Sequence, residues 1–298
     1  MAPSAAFAAA APLVHQWQRP AVCSRALCVD AFPIAGTRPC RVTDAAGTAV
    51  APPTMVSKVF VAGGAGRTGA RVVRALATRG ISVRVGCRDV EAARKTVEGT
   101  SGTFAQSALL TYVAIDVVDR PEGLRAAIGD ADAVVSALGA TSASNPALPY
   151  KVDSVGTSAV FKAAAEAGSV EHAVMVSSLG TEKVKFPAAL LNLFWGILLW
   201  KRQAEVALAK SGIPYTIIRP GGLEAAGDDY GDTHNVVLGE ANAFGGGTVS
   251  RMQVADVVAE ALIHPDVSAN KVVEVIAKDD APKRPIKDLL SELPVYSV

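Results

Sequence analysis

Three evenly spaced glycines after a short apolar run constrain the fold of this chain more than any other feature of its sequence. Gly63, Gly66 and Gly69 come directly after Val59-Phe60-Val61-Ala62, and a helix-like segment follows them. An apolar run of this length predicts a buried parallel strand. A strand, a tight turn and a helix N-terminus in that order hold a pyrophosphate, because unpaired N–H groups and the helix dipole both favour an anion there. The predicted phosphate-binding residues are Gly63, Gly64, Ala65, Gly66, Arg67, Thr68 and Gly69, and an ordinary structural turn is the alternative.

Strand-like and helical patterns alternate along the chain from Val59 onward. The predicted strands are Val59–Ala62, Ser82–Gly86, Tyr112–Ile115, Ala133–Ala137, His172–Ser177, Tyr215–Arg219 and Lys271–Ala277. The predicted helices cover residues 67–79, 90–97, 121–128, 153–167, 188–211, 251–263 and 286–293. This alternation requires crossover connections, so it predicts an α/β fold with a doubly wound parallel sheet of the Rossmann type. We expect residues 55–298 to form one NAD(P)-binding domain.

Residues 1–54 differ in composition from the rest of the chain. They are rich in Ala, Pro, Ser and Thr and contain four arginines but only two acidic residues. This composition predicts a plastid transit peptide, with a secretory signal or a tail without a targeting role as alternatives. Three of the four cysteines lie in this segment, so Cys87 alone remains in the predicted domain and no internal disulfide is expected there. The net charge of +1 argues against a nucleic-acid partner.

Ligands of doubly wound sheets bind beyond the carboxyl ends of the strands, so the residues that follow each strand are candidates for the site. Arg88 follows the second strand, where a guanidinium can form a bidentate contact with the 2′-phosphate of NADP(H); Arg67 is a second candidate for this contact. A solvated arginine is the alternative, and the neighbouring Asp89 keeps NAD(H) open. Asp116 and Val117 follow the third strand and are predicted to contact adenine, although Asp116 in a turn cap is nearly as good an interpretation.

The remaining strand ends carry small residues and two serines. We expect the cofactor to contact Ala137, Leu138 and Gly139 after the fourth strand, and Pro220, Gly221 and Gly222 after the sixth. Ser177 and Ser178 follow the fifth strand, where a hydroxyl can hold a substrate carbonyl beside the nicotinamide. The alternative for these serines is a turn that satisfies its own backbone.

A lysine without its usual tyrosine marks the predicted catalytic helix. Short-chain dehydrogenases carry Tyr-x-x-x-Lys on one helix face, where the lysine lowers the pKa of the tyrosine and holds the ribose while the tyrosine passes the proton. Lys201 is present here, but Ile197 occupies the tyrosine position. Isoleucine cannot transfer a proton, so cofactor binding by Lys201 is expected to survive better than proton transfer. A surface helix lysine is the alternative.

The sequence around this lysine resembles a known family. The runs Ser177–Glu182 and Leu193–Arg202 are similar to the sixty-two-kilodalton dehydrogenase-like subunits of the chloroplast inner-envelope translocon (Tic), which are atypical short-chain dehydrogenases/reductases. Further similar stretches are Ile218–Gly222, Thr233–Asn235, Phe244–Gly246 and Val272–Val275. The glycine spacing is also the form found in such dehydrogenases.

The resemblance implies an NADP(H)-binding protein of the plastid stroma that associates with envelope or thylakoid membranes, or with the translocon, according to redox state. That family binds ferredoxin–NADP reductase through Pro/Ser-rich repeats; none precedes Val298, so this partner is not expected. We predict an NADPH-dependent oxidoreductase with an unknown small-molecule acceptor. The alternatives are an NADP+/NADPH sensor or scaffold without turnover, and a translocon subunit with a relic fold.

One apolar segment of the predicted domain is a candidate for membrane contact. Phe186–Trp200 has Asn192 as its only strongly polar residue. It is shorter than the roughly 20 residues that a spanning helix needs. Burial within the domain or in a dimer is the favoured interpretation, and docking on a membrane surface is the alternative. The scattered histidines show no metal-ligand spacing, so no metal is expected.

Overall fold

The computed structural model describes residues 56–99, 104–140, 145–182, 196–223 and 227–296, all within one unit of the chain, Pro52–Val298. The predicted transit peptide, residues 1–54, lies outside these residues. The strands are β1 (Lys58–Ala62), β2 (Ser82–Cys87), β3 (Leu110–Ala114), β4 (Ala133–Ser136), β5 (His172–Val176), β6 (Tyr215–Pro220), β7 (Asn235–Gly239) and β8 (Lys271–Lys278). The helices are α1 (Arg67–Thr78), α2 (Val90–Glu98), α3 (Leu124–Ile128), α4 (Ala147–Pro149, then the π-helical Tyr150–Gly156, then Thr157–Ala167), α5 (Ile197–Ala209), α6 (Arg251–Ile263), α7 (Pro265–Ser268) and α8 (Ile286–Glu292).

The strands form one sheet with the order β3-β2-β1-β4-β5-β6-β8-β7. All neighbours pair in parallel except β7 and β8, which are antiparallel. The predicted doubly wound parallel sheet is therefore confirmed. The strand order reverses between β1 and β4, and such a reversal opens a crevice at the carboxyl ends of the strands.

The two faces of β1 explain how the sheet is held between two helical layers. Side chains alternate along a strand, so Val59 and Val61 pack with α1 and α6 on one face, while Phe60 and Ala62 pack with α3 and α4 on the other. All four are completely buried. Burial of each large apolar side chain stabilises the fold by roughly 1.5–3 kcal/mol.

Local sequence signals fix where several helices begin and end. The Ser250 hydroxyl accepts a hydrogen bond from the Gln253 N–H, and the Gln253 side chain accepts one from the Ser250 N–H. Together these two bonds form a capping box at the start of α6. Gly80 follows α1 with a φ of +81°, a conformation that favours glycine. The predicted helix 153–167 begins earlier, at Ala147, and residues 121–128 open with a 3₁₀ turn at Pro121–Gly123. Of the predicted helix 188–211, the described part is α5.

Candidate functional site

A cleft of about 440 Å³ lies at the carboxyl ends of β1, β2, β3 and β4. Its walls come from the glycine turn after β1, the ends of β2 and β3, the loop after β4 and the start of α4. The predicted cofactor residues that line it are Gly63, Ala65, Gly66, Arg88, Asp116, Val117, Ala137, Leu138 and Gly139. The structure therefore brings together residues that lie up to 76 positions apart in the sequence, at the place where the strand order reverses.

Each predicted glycine of the turn has a different physical role. Gly63 has a φ of +75°, a left-handed conformation that favours glycine. A Cβ on Gly69 would lie 2.1 Å from the Gly63 carbonyl oxygen, so α1 packs against the turn too closely for a side chain. A Cβ on Gly66 would meet a single atom within 4 Å, the Gly63 carbonyl oxygen at 3.1 Å. Gly66 thus keeps free the space beside the start of α1.

The N-terminus of α1 is built to receive an anion. Gly66 is its N-cap residue and has no side chain to cap the N–H groups of the first turn. These N–H groups have no acceptor within the helix, and the helix dipole adds a partial positive charge. Since Gly66 also lines the cleft, a pyrophosphate fits the open space beside it. Gly64, Arg67, Thr68 and Gly69 form the turn and the first turn of α1 without lining the cleft.

The end of β2 presents a cation to the cleft. Arg88 is exposed and lines the cleft wall. The neighbouring Asp89 is the N-cap of α2, because its Oδ1 accepts a hydrogen bond from the Ala92 N–H at 3.0 Å. An NAD(H) site would use the Asp89 carboxylate to bind the ribose hydroxyls. In this structure that carboxylate caps α2 instead.

Asp116 closes the turn that follows β3. Its Oδ1 accepts hydrogen bonds from the N–H groups of Val118 at 2.9 Å and Asp119 at 3.0 Å. The Asp119 N–H is the main cause of a lowered pKa of Asp116, and Arg88 lowers that pKa further. The turn cap is thus present, and the carboxylate lines the cleft as an anion at neutral pH.

Lys201 lies behind the cleft, and only 13% of its side chain is exposed. Its Nζ lies 3.0 Å from Asp153 Oδ1 and donates a hydrogen bond to the Leu138 carbonyl oxygen at 3.4 Å. The alternative of a solvated surface lysine is therefore excluded. Ile197, at the position of the missing tyrosine, is the first residue of α5 and is half-buried.

The two predicted serines differ in their contacts. Ser177 is buried, and its hydroxyl donates a hydrogen bond of 2.5 Å to Glu205 Oε1. Since that proton is directed at Glu205, the Ser177 oxygen can accept a further hydrogen bond but has no second proton to donate to a carbonyl. The half-buried Ser178 hydroxyl donates to the Leu179 carbonyl oxygen at 3.3 Å.

A buried ion cluster lies beneath Ser177 and includes residues that the sequence analysis did not identify. The Arg219 guanidinium donates to Glu205 Oε1 at 3.0 Å and to Glu205 Oε2 at 2.7 Å, and both side chains are fully buried. Arg219 also donates to Glu182 Oε1 at 2.7 Å, which Arg202 approaches within 2.9 Å. Burial raises the pKa of Glu182, but the Arg219 guanidinium outweighs it and holds the pKa at about 2.

Backbone contacts outside the cleft hold the residues at the end of β6 and directly after it. The Gly221 N–H donates to the Val275 carbonyl oxygen at 2.9 Å, and the Gly222 N–H donates to the Gly247 carbonyl oxygen at 2.8 Å. A Cβ on Gly221 would lie 2.5 Å from that Gly247 oxygen. Pro220, Gly221 and Gly222 do not line the cleft, so their predicted contact with the cofactor remains a prediction.

The start of α4 contributes cleft residues that the sequence analysis missed. These residues are Asn145, Leu148, Lys151 and Val152. Asn145-Pro146 was a usable signal, because an Asn before a Pro favours the start of a turn. Asn145 Oδ1 accepts a hydrogen bond from the Ala147 N–H at 3.0 Å.

Metal-binding clusters and membrane-spanning helices are both lacking among the described residues. No three His, Cys, Asp or Glu side chains among them are grouped so as to hold a metal ion. None of the described helices has both the length and the apolar composition needed to cross a membrane. In the apolar segment Phe186–Trp200, residues 186–195 lie outside the described residues.

Known proteins support these findings. The sequence profile of the NAD(P)H-binding family matches residues 63–265. The chloroplastic protein TIC 62 of Pisum sativum is 42% identical over 246 residues, which cover 79% of this chain and 46% of that protein. An uncharacterised chloroplastic protein of Arabidopsis thaliana is 41% identical over 243 residues, which cover 79% of this chain and 82% of that protein. The fold is similar to that of an oxidoreductase of Lactococcus lactis, with a TM-score of 0.63 and 23% identity over 81% of this chain and 98% of that one. This chain thus spans less than half the length of the pea protein.

Proposed function

This chain belongs to the NAD(P)H-binding family, and on that premise we propose that it is an NADP(H)-dependent oxidoreductase of the atypical short-chain dehydrogenase type that acts in the plastid on a small-molecule acceptor. The proposal rests on the cleft at the β1–β4 switch point, where Gly66 leaves room for a phosphate at an uncapped helix N-terminus. When bound, NADPH supplies a hydride from its nicotinamide ring.

The preference for NADP(H) over NAD(H) rests on the end of β2. A guanidinium matches a phosphate by two parallel charge-assisted hydrogen bonds. Arg88 stands in the cleft wall, and the carboxylate of the neighbouring Asp89 is engaged as the N-cap of α2. Arg88 would therefore bind the 2′-phosphate and discriminate against NADH.

The test is the affinity of the full chain for NADPH and NADH, measured by nucleotide fluorescence. We expect Arg88→Ala to weaken NADPH binding about tenfold or more, the effect of losing charge-assisted hydrogen bonds, and to change NADH binding less than about twofold. Arg125→Ala is the matched control, because Arg125 is exposed on α3 and does not line the cleft. Equal losses for both nucleotides would contradict the assignment of Arg88, and a wild-type chain that binds neither would overturn the proposed function.

The chemistry of this chain favours acceptors that need no proton from the protein. Ile197 cannot donate one, and the Ser177 proton is directed at Glu205. Water or the acceptor itself would then supply the proton. NADPH oxidation by the full chain with quinone, flavin and carbonyl acceptors measures turnover, and a rate no higher than background with all of them would contradict an oxidoreductase.

A nucleotide sensor or scaffold without turnover is the second candidate. Two observations favour this function: Ile197 replaces the proton-relay tyrosine, and Lys201 is paired with Asp153. Its partners would be a plastid membrane or the import translocon. NADP+ and NADPH must then differ in their effect on liposome or translocon binding, because a ligand without differential affinity shifts no equilibrium. Equal binding in both states would exclude this function.

A plastid location is proposed because the relatives from Pisum sativum and Arabidopsis thaliana are named chloroplastic and residues 1–54 have a transit-like composition. Import into isolated chloroplasts with shortening of the chain tests it, and failure of import would contradict it.

A further inference from the structure

Asp153 has a buried carboxylate behind the loop Leu138–Ala140, which lines the cleft and is called its floor below. Its side chain is fully buried in the π-helical segment of α4. Aspartate is almost never fully buried unless it is paired. Here Oδ1 lies 3.0 Å from Lys201 Nζ, and Oδ2 accepts a hydrogen bond from the Ala140 N–H at 3.2 Å. One carboxylate therefore joins α4 to α5 and to the loop after β4.

Lys201 contacts the same loop from the other side. Its Nζ donates to the Leu138 carbonyl oxygen at 3.4 Å. A Cβ on Gly139 would lie 3.8 Å from Asp153 Oδ1, so the carboxylate lies directly behind a residue that lines the cleft. Among the described residues, Asp153 Oδ1 accepts no hydrogen bond of good geometry. The floor of the cleft thus rests on an ion pair whose attraction is mainly electrostatic.

The π-helical turns of α4 explain why Asp153 points inward. The Thr157 hydroxyl donates to the Val152 carbonyl oxygen, five residues earlier, at 2.9 Å. The widened turns bury Asp153 while Lys151 stays exposed at the cleft. π-helical turns inside helices occur frequently at functional sites, where they reposition side chains.

We propose that Asp153 is a positioning residue, whose carboxylate holds Lys201 and the loop Leu138–Ala140 in the arrangement that receives the nicotinamide ribose. A dinucleotide spans the crevice with one half on each side of the switch point. Arg88 stands at the end of β2 on one side, so the loop after β4 lies on the nicotinamide side. This inference rests on the proposed nucleotide binding. It assigns a further role to Asp153, which would hold Lys201 in place in a chain that has Ile197 instead of the tyrosine.

The test compares two ligands that differ only at the nicotinamide end. NADPH spans the whole site, whereas 2′,5′-ADP has the adenosine half alone. Asp153→Asn keeps the shape and an oxygen acceptor for the Ala140 N–H but removes the charge that holds Lys201. We expect it to weaken NADPH binding about tenfold, as for loss of a charge-assisted contact, and to leave 2′,5′-ADP binding within about twofold of wild type. NADPH fluorescence intensity should fall as the nicotinamide becomes less constrained.

A double-mutant cycle and two controls complete the design. Lys201→Met should weaken NADPH binding to a similar extent, and the double variant should be no worse than either single one, because both remove one interaction. Lys201→Arg keeps the charge and should restore part of the affinity. Glu166→Gln changes an exposed carboxylate on the same helix and should have no effect.

The possible outcomes separate this inference from the proposed function. Three results would overturn the positioning role: additive losses of NADPH affinity in the double variant, an unchanged NADPH affinity in Asp153→Asn, or equal losses of affinity for NADPH and 2′,5′-ADP. Equal losses for the two ligands would indicate a general structural role. A wild-type chain that binds neither ligand would overturn the proposed function, and the inference with it.

Discussion

Replacing two glycines of the turn after β1 by alanine should separate the fold of this chain from its nucleotide binding. Gly66 is the N-cap residue of α1, and Gly69, three residues later, lies in its first turn. Gly66 has φ −74° and ψ 166°, which alanine adopts without strain. Its added methyl group would meet only the Gly63 carbonyl oxygen, at 3.1 Å, and would otherwise project into open space. The fold should therefore tolerate Gly66→Ala, while a pyrophosphate should not.

The expected magnitudes follow from these contacts. If the methyl group of Gly66→Ala removes two N–H contacts to phosphate at about 1.5 kcal/mol each, NADPH binding weakens by about 3 kcal/mol, or about 100-fold. The free energy of unfolding should change by less than about 1 kcal/mol. In Gly69→Ala the Cβ would lie 2.1 Å from the Gly63 carbonyl oxygen and 3.0 Å from the Gly64 Cα, both backbone atoms. Helix α1 must then move, at a cost of about 2–3 kcal/mol for overpacking.

Urea unfolding and NADPH fluorescence titration of the full chain measure the two effects. Gly66→Ala should unfold at nearly the wild-type urea concentration in the absence of NADPH and should gain almost no stability when NADPH is added, whereas wild type gains stability by mass action. Gly69→Ala should unfold at a lower concentration with or without NADPH. Wild-type NADPH affinity in Gly66→Ala would refute the phosphate cradle. Equal destabilisation in both variants would refute the separation of roles.

Two further predictions concern the stability of the core. Glu205→Gln removes the fully buried one of the two carboxylates that pair with the Arg219 guanidinium and leaves only Glu182, so urea unfolding should show a loss of about 3 kcal/mol. The exposed control Glu166→Gln should lose less than about 0.5 kcal/mol. Burial lowers the pKa of His172 to about 4, below its unfolded value of 6.5. Between these two pH values the unfolded state binds more protons than the folded state. The free energy of unfolding should therefore decrease by about 2 kcal/mol as the pH falls through this window. His172→Gln should reduce that pH dependence, and an identical pH profile would show that another group causes it.

The strands were predictable because their apolar runs are short and bounded, whereas β7 was not. All seven predicted strands were found with ends shifted by at most two residues. β7, Asn235–Gly239, is an edge strand whose residues are mostly half-buried. Its place is set by antiparallel pairing with β8, for example Val236 with Ala277. Such pairing depends on a segment about forty residues later in the sequence, so no local pattern reveals it.

The cleft was more predictable than the contacts behind it. The glycine turn and the strand ends follow from topology alone, since the carboxyl ends of parallel strands meet at one edge. The burial of Asp153 and Glu205 was not predicted, because an acidic residue in a helical pattern is normally expected to be exposed to solvent. Only the structure shows that the π-helical turns bury Asp153 and that Arg219 reaches Glu205 from a neighbouring strand.

The residues proposed to bind the cofactor phosphates are separate from the groups that could transfer a proton. The glycine turn and Arg88 line the cleft, whereas neither member of the pairs Lys201–Asp153 and Arg219–Glu205 does. The groups that would move a proton are engaged elsewhere, because Ser177 donates to Glu205 and Lys201 lies against Asp153. Rupture of the contact between Lys201 and Asp153 would leave a buried carboxylate without its cation, which costs several kcal/mol. Cofactor binding and turnover are therefore tested by different measurements, NADPH affinity for the first and NADPH oxidation with an acceptor for the second.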